Sequence, residues 1–133
     1  MGIEFRLLGG IEAVLDGRPL DIGHPRQRCV LAALLVDANR PVGADELVER
    51  VWAGRPARHS RTALSGYVSR LRAVLAVDPD TTIDRRNGGY QLTVNPSAVD
   101  LHRFADLVAR ASKALAANST ESASDLLDEA LAL

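Results

Sequence analysis

Apolar and polar residues alternate along Ile3 to Leu8 until Gly9-Gly10 interrupts them, which is the period of a half-buried strand. Ile11 to Leu15 reads as a second short strand, Asp16-Gly17 as a hairpin turn and Arg18 to Ile22 as a third strand. The pattern then changes period. Pro25 suits a first helical turn, and Val30, Leu31, Leu34 and Leu35 recur at helical spacing as far as about Asn39. Arg40 to Gly43 reads as an extended connector. A second helix is expected from about Ala44 to Trp52, with Leu47, Val48, Val51 and Trp52 inward and Gly54-Arg55-Pro56 ending it.

The clearest helix runs from about Ser60 to Ala76. Leu64, Tyr67, Val68, Leu71, Val74 and Leu75 form its apolar stripe, and Thr62, Ser65, Gly66, Ser69, Arg70 and Arg72 lie opposite. Thr82 to Arg86, the turn Asn87-Gly88-Gly89 and Tyr90 to Val94 then predict a hairpin. Asn95-Pro96-Ser97 marks a boundary, giving units 1–95 and 96–133, and two amphipathic helices follow, about Asp100 to Ala117 and Glu121 to Leu133. The pattern stops without a cap, as expected of a fragment of a longer helical array. The fold class expected is α+β: a small antiparallel sheet, three helices and a hairpin wing, then helices of a second unit.

Composition changes this picture little. With 47% hydrophobic and 25% charged residues the chain reads as an ordinary globular protein. The longest apolar run, Val30 to Val36, is too short to cross a bilayer. The segment Met1 to Phe5 lacks the basic-then-apolar order of a signal peptide, so cytoplasmic residence is expected. Cys29 is the single cysteine; on an apolar helix it reads as a small buried hydrophobe. His24, His59 and His102 lack ligand spacing, so neither a metal nor another cofactor is expected. No nucleophile, base and orienting group suggest an enzyme.

Charge matters more. The net charge of −1 hides an asymmetry: residues 1–95 carry 13 arginines against 11 carboxylates, whereas residues 96–133 carry 3 basic and 6 acidic side chains. From Ala53 to Val77 there are five arginines, Arg55, Arg58, Arg61, Arg70 and Arg72, and no acidic residue. A helix with one apolar face and one face of small polar and cationic groups suits the major groove of DNA. Arg85 and Arg86 beside a tight turn suit the minor groove, where the potential is most negative. Each pattern alone also fits a solvated surface, and the combination is more specific than either. Double-stranded DNA is therefore the expected partner. The alternative is a winged-helix interaction module that docks a protein and touches DNA little.

The order of elements resembles the OmpR-type winged helix. More closely, Pro25-Arg26-Gln27-Arg28-Cys29-Val30-Leu31-Ala32-Ala33-Leu34-Leu35 is similar to the first helix of the SARP/AfsR regulators. So are Asn39-Arg40-Pro41-Val42, Glu46 to Trp52, Tyr67-Val68-Ser69-Arg70-Leu71-Arg72 and Gly88-Gly89-Tyr90-Gln91-Leu92. Val99-Asp100-Leu101-His102-Arg103-Phe104 resembles the start of their all-α, TPR-like bacterial transcriptional activation domain. The resemblance implies an activator of antibiotic or other secondary-metabolite gene clusters. It would bind direct repeats near the −35 promoter region as a tandem dimer and contact RNA polymerase and its sigma factor. It also implies DNA contact through Thr62, Ser65, Gly66, Ser69 and Arg70, with Arg72 near the backbone and Arg86 as the wing arginine; the residue pattern itself adds Arg61 at the opening of the helix and Arg85 beside the turn. Arg55, Arg58 and His59, between the second and third helices, would face polymerase. Gly66 departs from relatives that carry larger side chains there, and glycine inside a helix costs about 1 kcal/mol relative to alanine.

Overall fold

A computed structural model describes residues 2–55 and 57–133. Met1, in the segment read for a signal peptide, and Pro56, expected to help end the second helix, lie outside the described residues. Strands β1 (Glu4–Arg6), β2 (Glu12–Leu15) and β3 (Arg18–Pro19) form an antiparallel sheet in that order. Asp16 and Gly17 turn the chain between β2 and β3 with φ of 52° and 78°, the left-handed pair of a two-residue hairpin. Ile3, Phe5 and Ala13 are buried, while Glu4, Arg6 and Glu12 point outward.

Helix α1 (Pro25–Val36) buries Val30, Leu31, Leu34 and Leu35. It ends before the expected Asn39 because that residue takes φ 66° and turns to other work. Its side-chain amide donates to the Val94 carbonyl at 2.9 Å, and its carbonyl accepts from the Val94 N–H at 3.0 Å. Cys29 is exposed, correcting the expectation of burial. The inward side of α1 is set by Gln27, Val30, Leu31 and Leu34, and position 29 falls outside that stripe.

The connector holds a strand that periodicity could not announce. Val42–Gly43 (β4) pairs with β6 (Gly89–Thr93), which also pairs with β5 (Thr82–Arg86), giving the sheet order β4-β6-β5. Asn87 and Gly88, with φ of 50° and 76°, make the tip. Gly89 belongs to the strand instead of the turn: a Cβ there would lie 2.7 Å from Gly43 Cα, so the backbones meet where no side chain fits.

Helix α2 (Ala44–Val51) follows β4 directly and turns Leu47 and Val48 into the core, with Trp52 just beyond its end. Asp45 and Glu46 in its first turn and Arg50 in its last complement the helix dipole. Arg50 also ties α2 to the end of α1 through Asp37 at 2.6 Å. Helix α3 (Ser60–Leu75) buries Leu64, Val68, Leu71 and Leu75. Each such aliphatic side chain contributes about 1.5–3 kcal/mol on burial. Tyr67 and Val74 border this stripe and are half-buried.

After a short 3-10 turn at Pro96–Ala98 come α4 (Asp100–Ala116) and α5 (Thr120–Leu131), packed on each other. Their start is built into the core formed by the preceding elements. Val99 bridges Phe5 in parallel and is fully buried. Nε2 of His102 lies 2.7 Å from the Leu35 carbonyl. The buried Asp100 carboxylate accepts from the N–H groups of Leu7 at 2.7 Å and Leu8 at 3.2 Å.

A second buried carboxylate, Asp78, holds the other end of β1. Its Oδ2 accepts from Ile3 N–H at 3.0 Å and the Thr81 hydroxyl at 2.9 Å, and its Oδ1 accepts from Asp80 N–H at 3.0 Å. The bond from Ile3 is the main cause that holds the Asp78 carboxyl below its ordinary range. A lowered pKa makes the ionised form the stabilising one, so its contribution is complete above the ordinary carboxylate range and fades as pH falls through it. In Asp78→Asn one amide oxygen cannot serve all three donors. Urea titrations should show a loss of about 2 kcal/mol near neutral pH. The gap to the parent should narrow from about pH 5 downward. Gly89→Ala should cost about 1–3 kcal/mol in the same assay, because the β4–β6 backbones must separate to admit the methyl group.

Candidate nucleic-acid interface

The outward side of α3 is what its core packing leaves over. Once Leu64, Val68 and Leu71 are turned inward, helical geometry sends Arg61, Thr62, Ser65 and Ser69 to solvent, and all four are exposed. Arg70 and Arg72 are exposed as well, and Gly66 is half-buried. No carboxylate stands within α3 itself. The exposed row therefore offers hydroxyls and guanidinium groups without internal neutralisation.

The cations are not equally available. Arg61 is paired with Asp45 of α2, its Nε lying 3.0 Å from a carboxylate oxygen. Both partners are largely solvated, so the pair is worth only about 0–1 kcal/mol and can be exchanged for a stronger anion. Arg70 donates from Nε to Gln27 Oε1 at 3.0 Å and lies 5.3 Å from the Tyr67 ring centre. Arg72 donates from Nε to the Ile83 carbonyl at 2.7 Å and lies 6.0 Å from the Tyr90 ring. That bond fastens β5 to α3 and gives Arg72 a structural use that its position in the sequence did not suggest.

On the wing, Arg85 opposes Tyr90 and Arg86 opposes Gly89. Adjacent strand residues point to opposite sides of the ribbon. Arg85 accordingly folds over the Tyr90 ring at 5.7 Å, toward α3, while Arg86 leaves from the other side. Both are exposed, and neither makes an ion pair among the described residues. The two cations thus do not form a single cluster at the tip.

Arg55, Arg58 and His59 are exposed in the segment between α2 and α3, which begins with Ala53 and Gly54 in left-handed conformation, φ 52° and 75°. Beside it lies an open groove of about 530 Å³, lined by residues that include Asp45, Val48, Glu49, Arg58 and Arg61. His59 occupies the N-cap position of α3 without capping it through its side chain. The residues missed by sequence reasoning are the supports: Gln27, Tyr67, Asp45 and Arg26, whose guanidinium lies 5.1 Å from the Trp52 ring. A polar residue at core spacing, Gln27, was the one signal available in the pattern.

Three helices with a hairpin fastened beside the third define a winged helix-turn-helix, the architecture of a transcription regulator. The chain belongs to the family described as "Transcriptional regulatory protein, C terminal", whose model matches residues 18–92. Its relatives bear out the likeness to the SARP/AfsR regulators. Transcriptional regulatory protein EmbR of Mycobacterium tuberculosis is 37% identical over 132 residues, covering 97% of this chain and 34% of EmbR. Regulatory protein AfsR of Streptomyces coelicolor is 39% identical over 132 residues, covering 98% of this chain and 13% of AfsR. The solved structure of Mycobacterium tuberculosis EmbR with a low-affinity phosphopeptide superposes with a TM-score of 0.86 at 37% identity. That likeness covers 97% of this chain and 35% of EmbR, and supports the OmpR-type winged helix. The chain spans about a third of EmbR and a smaller share of AfsR. No helix among the described residues is long and apolar enough to cross a membrane.

Gly66 can be tested apart from any ligand. A Cβ at this position would meet the Arg70 guanidinium at 3.7 Å, ordinary van der Waals contact, and its backbone is helical. Gly66→Ala should therefore raise stability by about 1 kcal/mol through helix propensity. Thermal unfolding followed by circular dichroism would read this as a higher midpoint.

Proposed function

We propose that this transcription regulator binds double-stranded DNA in a sequence-dependent way. Helix α3 would enter the major groove and the wing would reach the adjacent minor groove. The observation that carries this reading is the exposed row Arg61, Thr62, Ser65 and Ser69, on a helix without carboxylates and bonded through Arg72 to a wing that bears Arg85 and Arg86. Thr62, Ser65, Gly66 and Ser69 permit close approach to base edges, and arginines supply contacts to phosphate and guanine. Arg86, on the open side of the ribbon, is the wing residue that would enter the minor groove.

The same reading assigns residues 1–95 to DNA binding and residues 96–133 to the start of a bacterial transcriptional activation domain. Arg55, Arg58 and His59, with the groove beside them, would meet RNA polymerase and its sigma factor. The family likeness supports an activator of a secondary-metabolite gene cluster that binds direct repeats near the −35 region as a tandem dimer. It would work in the cytoplasm, at the nucleoid.

Selection from a duplex pool with a randomised core tests the reading, followed by gel shifts of the selected duplex over a salt series. Enriched direct repeats and affinity that falls with salt are expected, because arginines release counterions from phosphate. Binding to no duplex at low salt would reject it. Arg86→Ala should weaken binding to all duplexes and lower the salt slope by about one. Ser65→Ala or Ser69→Ala should instead shift the enriched sequence while leaving the slope in place.

A further inference from the structure

Of the five side chains that α1 buries, four are aliphatic and one is Gln27, 4% exposed. A buried amide is tolerated only when its hydrogen bonds are made. Here both ends are used: Nε2 donates to the Ile22 carbonyl at 3.0 Å, and Oε1 accepts from Nε of Arg70 at 3.0 Å. Gly23 makes room for it. With φ 89°, that residue would set a Cβ 2.7 Å from Gln27 Cδ, so anything larger would push the amide out of place. A packed hydrophobic side chain can contribute as much stability as a hydrogen-bonded amide at such a site. What the amide adds is a direction.

That direction acts on one guanidinium. Arg70 is oriented at Nε by Gln27, lies over the Tyr67 ring, and runs along the backbone of Gly66 one turn earlier. A Cβ at Gly66 would touch Nη2 at 3.7 Å and Nη1 at 3.8 Å. Alanine would fit there, whereas a branched side chain would occupy the space of the fork. Nη1 and Nη2 make no hydrogen bond or ion pair among the described residues. Two residues that look out of place in the sequence, a glutamine at a core position and a glycine inside α3, thus converge on the same side chain.

Building on the DNA-binding reading above, we propose that Gln27 is a positioning residue for recognition. It holds Arg70 by Nε so that the Nη pair is presented, already oriented, to a paired acceptor on DNA. A planar fork fixed before contact loses less conformational freedom on binding than a free arginine does. The paired acceptor is either the O6/N7 edge of a guanine or two oxygens of a phosphate.

The full chain and the variants Gln27→Met, Arg70→Ala and their combination are compared on the duplex pool with a randomised core, then on the selected duplex over a salt series. Methionine keeps the length of glutamine and removes its hydrogen bonds. If the acceptor is a guanine, Gln27→Met and Arg70→Ala should each lose preference at the same base-pair position, by roughly tenfold. If it is a phosphate, both should weaken all duplexes alike and lower the salt slope, Arg70→Ala by about one. In either case the double variant should lose little more than Arg70→Ala alone, because the two residues act as one unit. Should Gln27→Met fail to fold, Gln27→Leu removes the same two hydrogen bonds from the same buried position and carries the same expectation. Undiminished affinity and preference in the folded Gln27→Met or Gln27→Leu variant would overturn the proposal, as would losses that simply add. A wild-type chain that binds no duplex would overturn the DNA-binding reading and this proposal with it.

Discussion

The wing stands where it does because two stretches of backbone meet with nothing between them. Gly89 lies against Val42 and Gly43 so closely that even a methyl group is excluded, and from that contact β6 takes its place beside β4. Much else follows from it. With β6 placed, Leu92 and Tyr90 fall into the core and β5 is carried along as its partner. The Ile83 carbonyl then comes within reach of Arg72, and the wing is bonded to α3. The side chain of Asn39 finds both of its partners on Val94, beyond the end of the same strand. The spatial relation between helix and wing is therefore set by backbone packing, and arginines secure it afterwards.

Electrostatics in this protein is a matter of allocation. The chain as a whole is nearly neutral, and much of its positive charge is committed within the fold. Arg50 is spent on Asp37 and Glu46, Arg72 on the wing, and Arg28 on the Gly23 carbonyl at 2.8 Å. Arg61 is held only by an exposed and easily exchanged partner, while Arg86 makes no ion pair among the described residues. A surface with two classes of arginine, bonded and free, has a rigid frame under a small set of reactive contacts. Local charge density on α3 and the wing says more about partners than the total does.

Periodicity made the helices and the hairpin legible. The stripe Leu64, Val68, Leu71 and Leu75 defines α3 almost to the residue, and Asn87-Gly88 announces the wing. Three features went unread, two of them because they depend on partners distant in the chain. Two residues, Val42 and Gly43, are too few to show a period, and become a strand only when β6 arrives. Cys29 sits among apolar neighbours in sequence and on the outer side of the helix in space. For the candidate interface, the exposed residues of α3 could be read from spacing. Their bonds could not: that Arg72 serves the wing and Arg70 leans on Gln27 is tertiary information.

The carboxylates that hold β1 have a consequence for the order in which the molecule assembles. Ile3 is bonded to Asp78, and Leu7 to Asp100, across 75 and 93 positions of chain. Closing such spans is slow compared with winding helices from local contacts. During synthesis β1 must wait until both acids have been made, while α1, α2 and α3 can already begin to form. A strand made before α1 is thus secured only after α3 and the start of α4, and its anchoring ties it to residues that follow the helices it packs beside.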